Sequence, residues 1–365
     1  MDGLARMRRR VTQTADTVTV GFPHFADPAT GAWTTSPGGD WTGGFWNGML
    51  WLTARYGDDS GARARAGEWT ARLRPRVDSD TVFRGFLFYY GAALGALLCG
   101  DATARDIALA GARGLAASYN ARAEALPLGT AAEEASDVGA GEANVDTVQA
   151  SALLLWAHRE TGNATLRDIA VRHAARHIEF CLRDDGSVCQ SASFDPTTGR
   201  MLRRYTHKGI TDHSTWARAQ AWGILGWTLT YLWSGDTQFR DAGERAADWW
   251  LAHAPADRVA FWDFDDPKIQ STFRDTSATA IVTASLLTLA PHASTSARSR
   301  AYRDAAEATA TALVERYLRA DGVLADGCYS PRIGLATRHE LVWGSYYLFE
   351  ALHTLAGLYD PAKIA

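Results

Sequence analysis

The feature that most constrains this chain is a phrase that returns along it. Leu98-Cys99-Gly100-Asp101 leads to Arg105-Asp106 and an Ala-rich amphipathic run. Glu160-Thr161-Gly162-Asn163 leads to Arg167-Asp168 and AVRHAARHIEF. Trp233-Ser234-Gly235-Asp236 leads to Arg240-Asp241 and AGERAADWWLAH. A weaker copy holds Tyr56-Gly57-Asp58, and a partial one holds Arg303-Asp304 before AAEATATALVERYL. Glycine adopts the left-handed conformation that closes a helix at little cost, and Asp or Asn caps the next helix. The phrase therefore marks helix–turn–helix junctions. Its period of roughly 60 to 70 residues is the length of two helices and two loops. Five or six such hairpins fit the chain, and six close into a ring with inner and outer helices. The expected fold is all-α, an (α/α)6 barrel of six helical hairpins in one domain spanning residues 1–365. An irregular N-terminal segment over about residues 1–40 is expected to precede it, because Pro, Gly, Thr and Asp dominate Phe22 to Asp40. An open α-solenoid is the alternative. Against it stand the long irregular segments 120–143, 185–215, 255–277 and 320–340, which come at similar phase and can converge on a cleft at one end of a ring.

The totals exclude several classes. The net charge of -4 and the isolated RRR at Arg8–Arg10 offer no basic surface for nucleic acid. No apolar run is long enough to span a bilayer, and the first residues lack the apolar core of a secretory signal. Cys99, Cys181, Cys189 and Cys328 lack paired metal spacing. Cys99 and Cys181 lie in apolar helical context and read as buried thiols, so a cytoplasmic setting without structural disulfides is expected.

Chemistry is expected in the loops. Glu142 to Gly162, EANVDTVQASALLLWAHRETG, places Val145, Val148, Ala152, Leu155 and Trp156 at helical spacing. Asp146 then falls in the first turn, where free backbone N–H groups tolerate a carboxylate. It reads either as an ordinary helix-start residue or as a catalytic carboxylate. Trp is abundant, at 14 residues. Trp41, Trp46, Trp216, Trp222 and Trp262 sit among Gly, Asp, Arg and Gln, as suits sugar rings with apolar faces and hydroxylated edges, although Trp also anchors helix packing. FDPTTG, starting at Phe194, reads as a tight turn between two short strands. Asp275 reads as the cap of the helix after it. His207, Asp212 and His213 match no metal template. His173 and His177 stand four apart on a helix without a third ligand, and read as partly exposed polar residues. No metal and no cofactor are expected, and no nucleotide-binding or serine-hydrolase motif is present.

Several phrases together resemble glycoside hydrolase family 88, the unsaturated glucuronyl hydrolases, with the unsaturated rhamnogalacturonyl hydrolases further off. They are DWTGGFWNGMLWL from Asp40, NVDTVQASALLLWAHRETGN from Asn144, THKGITDHSTWARAQAWGILG from Thr206, WDFDDP from Trp262, RDTSATAI from Arg274 and VWGSYYLFEAL from Val342. They keep the family's order over nearly the whole chain, and STWARAQAW is the most specific. The resemblance implies the same barrel. It also implies a substrate ending in a uronate with a C4=C5 double bond, which the enzyme hydrates: an Asp protonates C4, water adds at C5, and the hemiketal opens and expels the aglycone. Asp146 matches that acid/base, and the carboxylate-separation rule of ordinary glycosidases does not apply. Arg218 and Trp222 match residues lining the subsite for the unsaturated sugar, with an ion pair and a core position as their plainer readings. Trp41, or alternatively Trp46, matches an aromatic wall.

The chain departs from the family in the same places. Phe83 stands where a second Asp is expected, in Val82-Phe83-Arg84-Gly85-Phe86, with Asp80 three residues off. Gln190 replaces a His, and Gln cannot titrate. Lys208 replaces a glutamine-type residue and adds a positive charge that suits an anionic group. The expected substrate is accordingly an anionic carbohydrate or glycoside, bound by a monomer or homodimer with Trp41, Gln190, Lys208, Arg218 and Trp222 around Asp146. The departures leave two rivals: a repurposed lyase or dehydratase acting on a modified small-molecule sugar, and a catalytically silent carbohydrate-binding barrel.

Overall fold

Two kinds of helix alternate, and their residues decide which ring each joins. The computed structural model describes residues 2–57, 59–133 and 137–365. Its helices are α1 (Asp2–Thr17), α2 (Gly43–Tyr56), α3 (Ala62–Ala71), α4 (Arg84–Phe88), α5 (Leu94–Cys99), α6 (Ala102–Ala117), α7 (Ala150–Thr161), α8 (Ala164–Cys181), α9 (Ala217–Ser234), α10 (Thr237–His253), α11 (Thr276–Leu289), α12 (Ser296–Arg316) and α13 (Val342–Leu355). A π-helical turn, Tyr89–Ala93, joins α4 to α5. α11 is buried along its whole length and α9 from Ala217 to Thr230. A helix apolar on every side belongs inside. α8, by contrast, buries one stripe through Leu166, Ile169, Ala170, His173, Ala174, His177 and Phe180.

The inner ring closes in the order α2, α4–α5, α7, α9, α11, α13 and back to α2. Outside it, α3 packs on α2, α6 on α4, α8 on α7, α10 on α9, α12 on α11 and α1 on α13. This is the (α/α)6 barrel expected from the repeat. The expectation of an irregular segment over residues 1–40 is corrected: Asp2–Thr17 is a helix and supplies the outer member of the last pair. Met7, Val11 and Thr14 form its buried stripe.

The junction glycines behave as their sequence predicts at three places. Gly100, Gly162 and Gly235 have φ of 61°, 72° and 72°, and the side chains of Asp101, Asn163 and Asp236 accept from backbone N–H groups of the next helix. At the weaker copy Gly57 is extended instead, with φ of -94°, and Asp58 lies outside the described residues. Arg303 and Asp304 fall inside α12, whose cap is Thr295.

Two small sheets are added. β1 (Phe22–Ala26) pairs with β2 (Trp33–Ser36) and with β6 (Glu340–Leu341). β4 (Ser191–Phe194) pairs with β3 (Glu142–Asn144) and β5 (Met201–Tyr205), and the FDPTTG turn joins β4 to β5 as expected. All six inner helices begin at the same end. Trp41, Phe83, Asp146, Arg218, Asp275 and Trp343 sit at or just before those starts, and they surround one cavity or its supports.

Candidate active site

The turn that carries Asp146 is built before the helix, not within it. The run expected to be helical from Glu142 enters as β3, bends through a 3₁₀ turn at Val145–Thr147, and becomes α7 only at Ala150. The Asn144 side chain accepts from the Asp146 N–H at 3.0 Å, and the Thr147 hydroxyl donates to the Asn144 carbonyl at 2.6 Å. Behind the turn lies His173. Its Nδ1 accepts from the Leu126 N–H at 3.1 Å, which leaves Nε2–H to donate to the Thr147 carbonyl at 3.0 Å. His173 and His177 are therefore fully buried supports, not the partly exposed pair expected from sequence. Burial pushes both well below the usual histidine range. Gly85 lets α4 approach: a Cβ there would lie 2.7 Å from Ala150, so Phe83 is held close to the Asp146 turn.

The cavity, about 490 Å³, is lined by Trp41, Phe83, Leu128, Glu133, Asn144, Asp146, Gln190, His207, Lys208, Trp216, Arg218, Trp222 and Tyr329. The six residues expected at the site from sequence, Trp41, Asp146, Gln190, Lys208, Arg218 and Trp222, are all in this lining. Asp146 is enclosed by protein yet partly accessible from the cavity, and its Oδ1 is buried without a hydrogen-bond partner among the described residues. Burial raises its pKa to about 7; Arg218 opposes that rise and Glu142 adds to it. Asp146 does lie in the first turn of that 3₁₀ segment, as a helix-start residue would, but among the described residues its carboxyl accepts from no N–H group of α7. Asp275 does cap α11, accepting from Ser277 N–H at 3.0 Å and Ala278 N–H at 3.3 Å.

Arg218 stands in the wall, but its fork is engaged. It is 1% exposed, pairs with Asp275 at 2.6 Å, and donates to the carbonyls of Cys328 and Tyr329. The ion pair, the plainer reading of this residue, is therefore present, and its planar fork is engaged by protein. What Arg218 offers the cavity is a fixed positive charge. Gln190 is held through one atom: its Oε1 accepts from the Thr206 hydroxyl at 2.6 Å and from the N–H groups of His207 and Lys208 at 2.9 and 3.0 Å. It holds the loop that presents Lys208. The Lys208 ammonium lies 4.7 Å from the Tyr329 ring centre, and burial lowers its pKa to about 7, with Arg218 and Arg332 acting in the same direction.

The walls are aromatic. Trp41 Nε1 donates to the Tyr329 hydroxyl at 3.2 Å, and its ring lies 4.6 Å from Trp343, 6.1 Å from Phe83 and 6.5 Å from Trp222. Trp46, the alternative wall residue, is fully buried against Trp69 in the core, and Trp262 hydrogen-bonds to Asp266 at 2.7 Å outside the lining. Asp80 does not stand in for a carboxylate at position 83. It is exposed and bound to Thr130 through the hydroxyl at 2.6 Å and the N–H at 2.9 Å.

Sequence reasoning missed Glu142, His207 and Glu133. Strand pairing sets Glu142 across from β4, with β5 on the far side of that strand. There the Tyr205 hydroxyl donates to Oε2 at 2.5 Å, and His207 Nε2 lies 2.7 Å from Oε1. These residues come from separate segments, so only the sheet brings them together. Cys181, Cys189 and Cys328 are buried free thiols, whereas Cys99 is half-buried, a correction to its expected burial. Among the described residues, no three His, Cys, Asp or Glu side chains gather as a metal site, and no helix is long and apolar enough to cross a membrane.

No family model matches the chain. An unsaturated glucuronyl hydrolase from Bacillus sp. (strain GL1) is 35% identical to it over 341 residues, covering 91% of this chain and 90% of that protein. The crystal structure of the unsaturated glucuronyl hydrolase from Bacillus sp. GL1 matches with a TM-score of 0.88 at 34% identity, over 97% of this chain and 95% of that one. A variant of the Streptococcus agalactiae unsaturated glucuronyl hydrolase complexed with dGlcA-GalNAc6S matches with a TM-score of 0.83 at 25% identity, over 98% and 91% of the two chains. The shared helices, the order of the motifs and this extent of identity agree, and the chain belongs to the unsaturated glucuronyl hydrolases, glycoside hydrolase family 88.

Proposed function

We propose that this protein hydrates the C4=C5 double bond of a terminal unsaturated uronate and thereby releases the sugar or aglycone attached to it. The observation that carries the reading is Asp146: a carboxyl raised to about 7, with one buried oxygen lacking a partner, in an aromatic-walled cavity. A group with its pKa near the working pH both gives and takes a proton. Protonated Asp146 delivers its proton to C4. Water adds at C5, and the carboxylate left behind accepts the proton that water sheds. The C5 hemiketal opens, and the aglycone departs with its oxygen.

The rest of the site supports an anionic sugar. Six inner helices point their starts toward this end of the barrel, and helix starts carry partial positive charge. Arg218 adds a fixed charge, and Lys208 one that depends on pH. Trp41 supplies a face for the ring, and Trp222, 1% exposed as its core reading had it, backs that wall. Phe83 leaves Asp146 without a second family carboxylate, and its ring supplies apolar surface in exchange. The unbridged thiols suit a reducing, cytoplasmic setting, and the carbohydrate is taken up by a monomer or homodimer.

The test is the absorbance of the conjugated uronate. Unsaturated disaccharides incubated with the protein should lose the band, and with Asp146→Asn the rate should fall by about 10²- to 10⁴-fold, the usual worth of a general acid–base group. A folded wild type that leaves the band intact with every disaccharide overturns the reading, in favour of a lyase, a dehydratase or a sugar-binding barrel.

A further inference from the structure

A second carboxyl residue lines the cavity, from a segment the proposed reaction does not use. Glu133 is a lining residue between α6 and β3. One of its oxygens is fixed: Arg76 Nη2 donates to Oε1 at 2.9 Å. Arg76 is fixed in turn, donating to the carbonyls of Gly38 and Asp40 at 3.2 Å each and to the Ser79 hydroxyl at 3.1 Å. The guanidinium that orients Glu133 thus belongs to the same frame as Trp41. The other oxygen, Oε2, is buried and has no hydrogen-bond partner among the described residues. Burial pushes the Glu133 carboxyl above the ordinary glutamate range, and Arg76 opposes that rise. A buried acceptor left unmet is costly, and a ligand that brings a donor removes that cost.

We propose that Glu133 is a specificity-determining residue: Oε2 accepts a hydrogen bond from a free hydroxyl of the bound sugar and excludes a sulfate ester in its place. The proposal rests on the carbohydrate reading above. A hydroxyl has a proton to give. A sulfate ester has only acceptor oxygens and a negative charge, so against this carboxylate it is both unpartnered and repelled. The repulsion is strong where water is scarce. The ligand class is therefore an unsaturated disaccharide with a hydroxyl, not a sulfate, at the position that meets Glu133.

Binding separates this inference from the reaction. Calorimetric titration of Asp146→Asn protein with dGlcA-GalNAc and with its 4- and 6-sulfates should show the unsulfated sugar tighter than at least one sulfate by about tenfold or more. Adding Glu133→Gln should weaken the unsulfated sugar about tenfold and narrow the gap, because the amide can donate to a sulfate. Adding Glu133→Asp keeps the charge and should keep the part of the gap due to repulsion, so the gap should lie between those of the parent and Glu133→Gln. Thermal melting of each variant beside its parent checks the fold. The proposal is overturned by a parent that binds all three sugars alike, by a gap that Glu133→Gln leaves unchanged, or by no binding at all. A clear gap in a protein whose wild type leaves the uronate band intact sinks the hydration reading alone.

Discussion

At Asp146 opposing influences meet within one residue. Burial and Glu142 favour the protonated acid, Arg218 and His207 favour the carboxylate, and the balance falls at about 7. The pKa is raised, so the acid form is held below about pH 7 and lost as pH rises through it. A reaction that begins with proton donation should therefore lose kcat/KM above about pH 7, about tenfold per pH unit. Lys208 sheds its charge over the same range, so binding of an anionic sugar weakens there too and the fall steepens. Lys208→Met should raise KM and return the slope to about one decade per unit. Glu142→Gln removes a charge that raises the Asp146 pKa, so the alkaline limb should move to lower pH. An alkaline limb that stays in place in Glu142→Gln would separate the two residues.

At the scale of elements the active group is only as good as the turn that holds it. His173 on α8 ties the Thr147 carbonyl to the Leu126 N–H, and so couples the Asp146 turn to the strip containing Leu128. Its removal should displace the carboxyl without touching the sugar. His173→Ala should lower kcat by about tenfold or more with KM little changed, since small misplacements cost up to about a hundredfold. His173→Gln, which keeps a donor, should recover part of the loss. Elements also differ in how legible they are from sequence. The junctions at Gly100, Gly162 and Gly235 can be read because only glycine takes that φ cheaply and Asp or Asn caps the next helix. Asp146, Arg218 and Trp222 can be placed together because each lies in a phrase that resembles the family's, and all three line the one cavity. The partners of Arg218 and Gln190 cannot be read. Asp275, Cys328 and Tyr329 are 57, 110 and 111 residues from Arg218, and no local pattern records such meetings. His173 misleads for the same reason: a polar side chain on an outer helix looks solvent-facing until its two buried partners are known.

At the scale of the whole barrel, closure depends on an element that composition hides. α1 carries Leu4, Met7 and Val11 at helical spacing, but Arg8, Arg9 and Arg10 between them make it read as a solvated terminus. One of those arginines is buried. Arg10 Nη2 and Nε donate to Glu340 Oε2 at 2.6 and 3.0 Å, and Nη2 also reaches the Gly31 carbonyl at 3.0 Å. Glu340 Oε1 accepts from the Ser345 hydroxyl at 3.0 Å. Two residues beyond β6, α13 presents Trp343 to Trp41 at the cavity wall. The pair therefore joins the first outer helix to the last inner one. A buried ion pair adds little net stability compared with apolar residues that fit the same space, but losing one partner strands the other charge. Arg10→Met should then destabilise the barrel by about 3–5 kcal/mol, read as a shift in the denaturant midpoint. Burial already pushes the Glu340 carboxyl above its ordinary range, and without Arg10 that rise should grow. The lone acid then takes up a proton more readily, so the loss should be smaller at pH 5 than at pH 8. Arg10→Met with Glu340→Gln removes both charges and should recover much of the loss at pH 8. A double variant as unstable as Arg10→Met alone would show that the packing of α1 on α13, and not the ion pair, holds the ring closed.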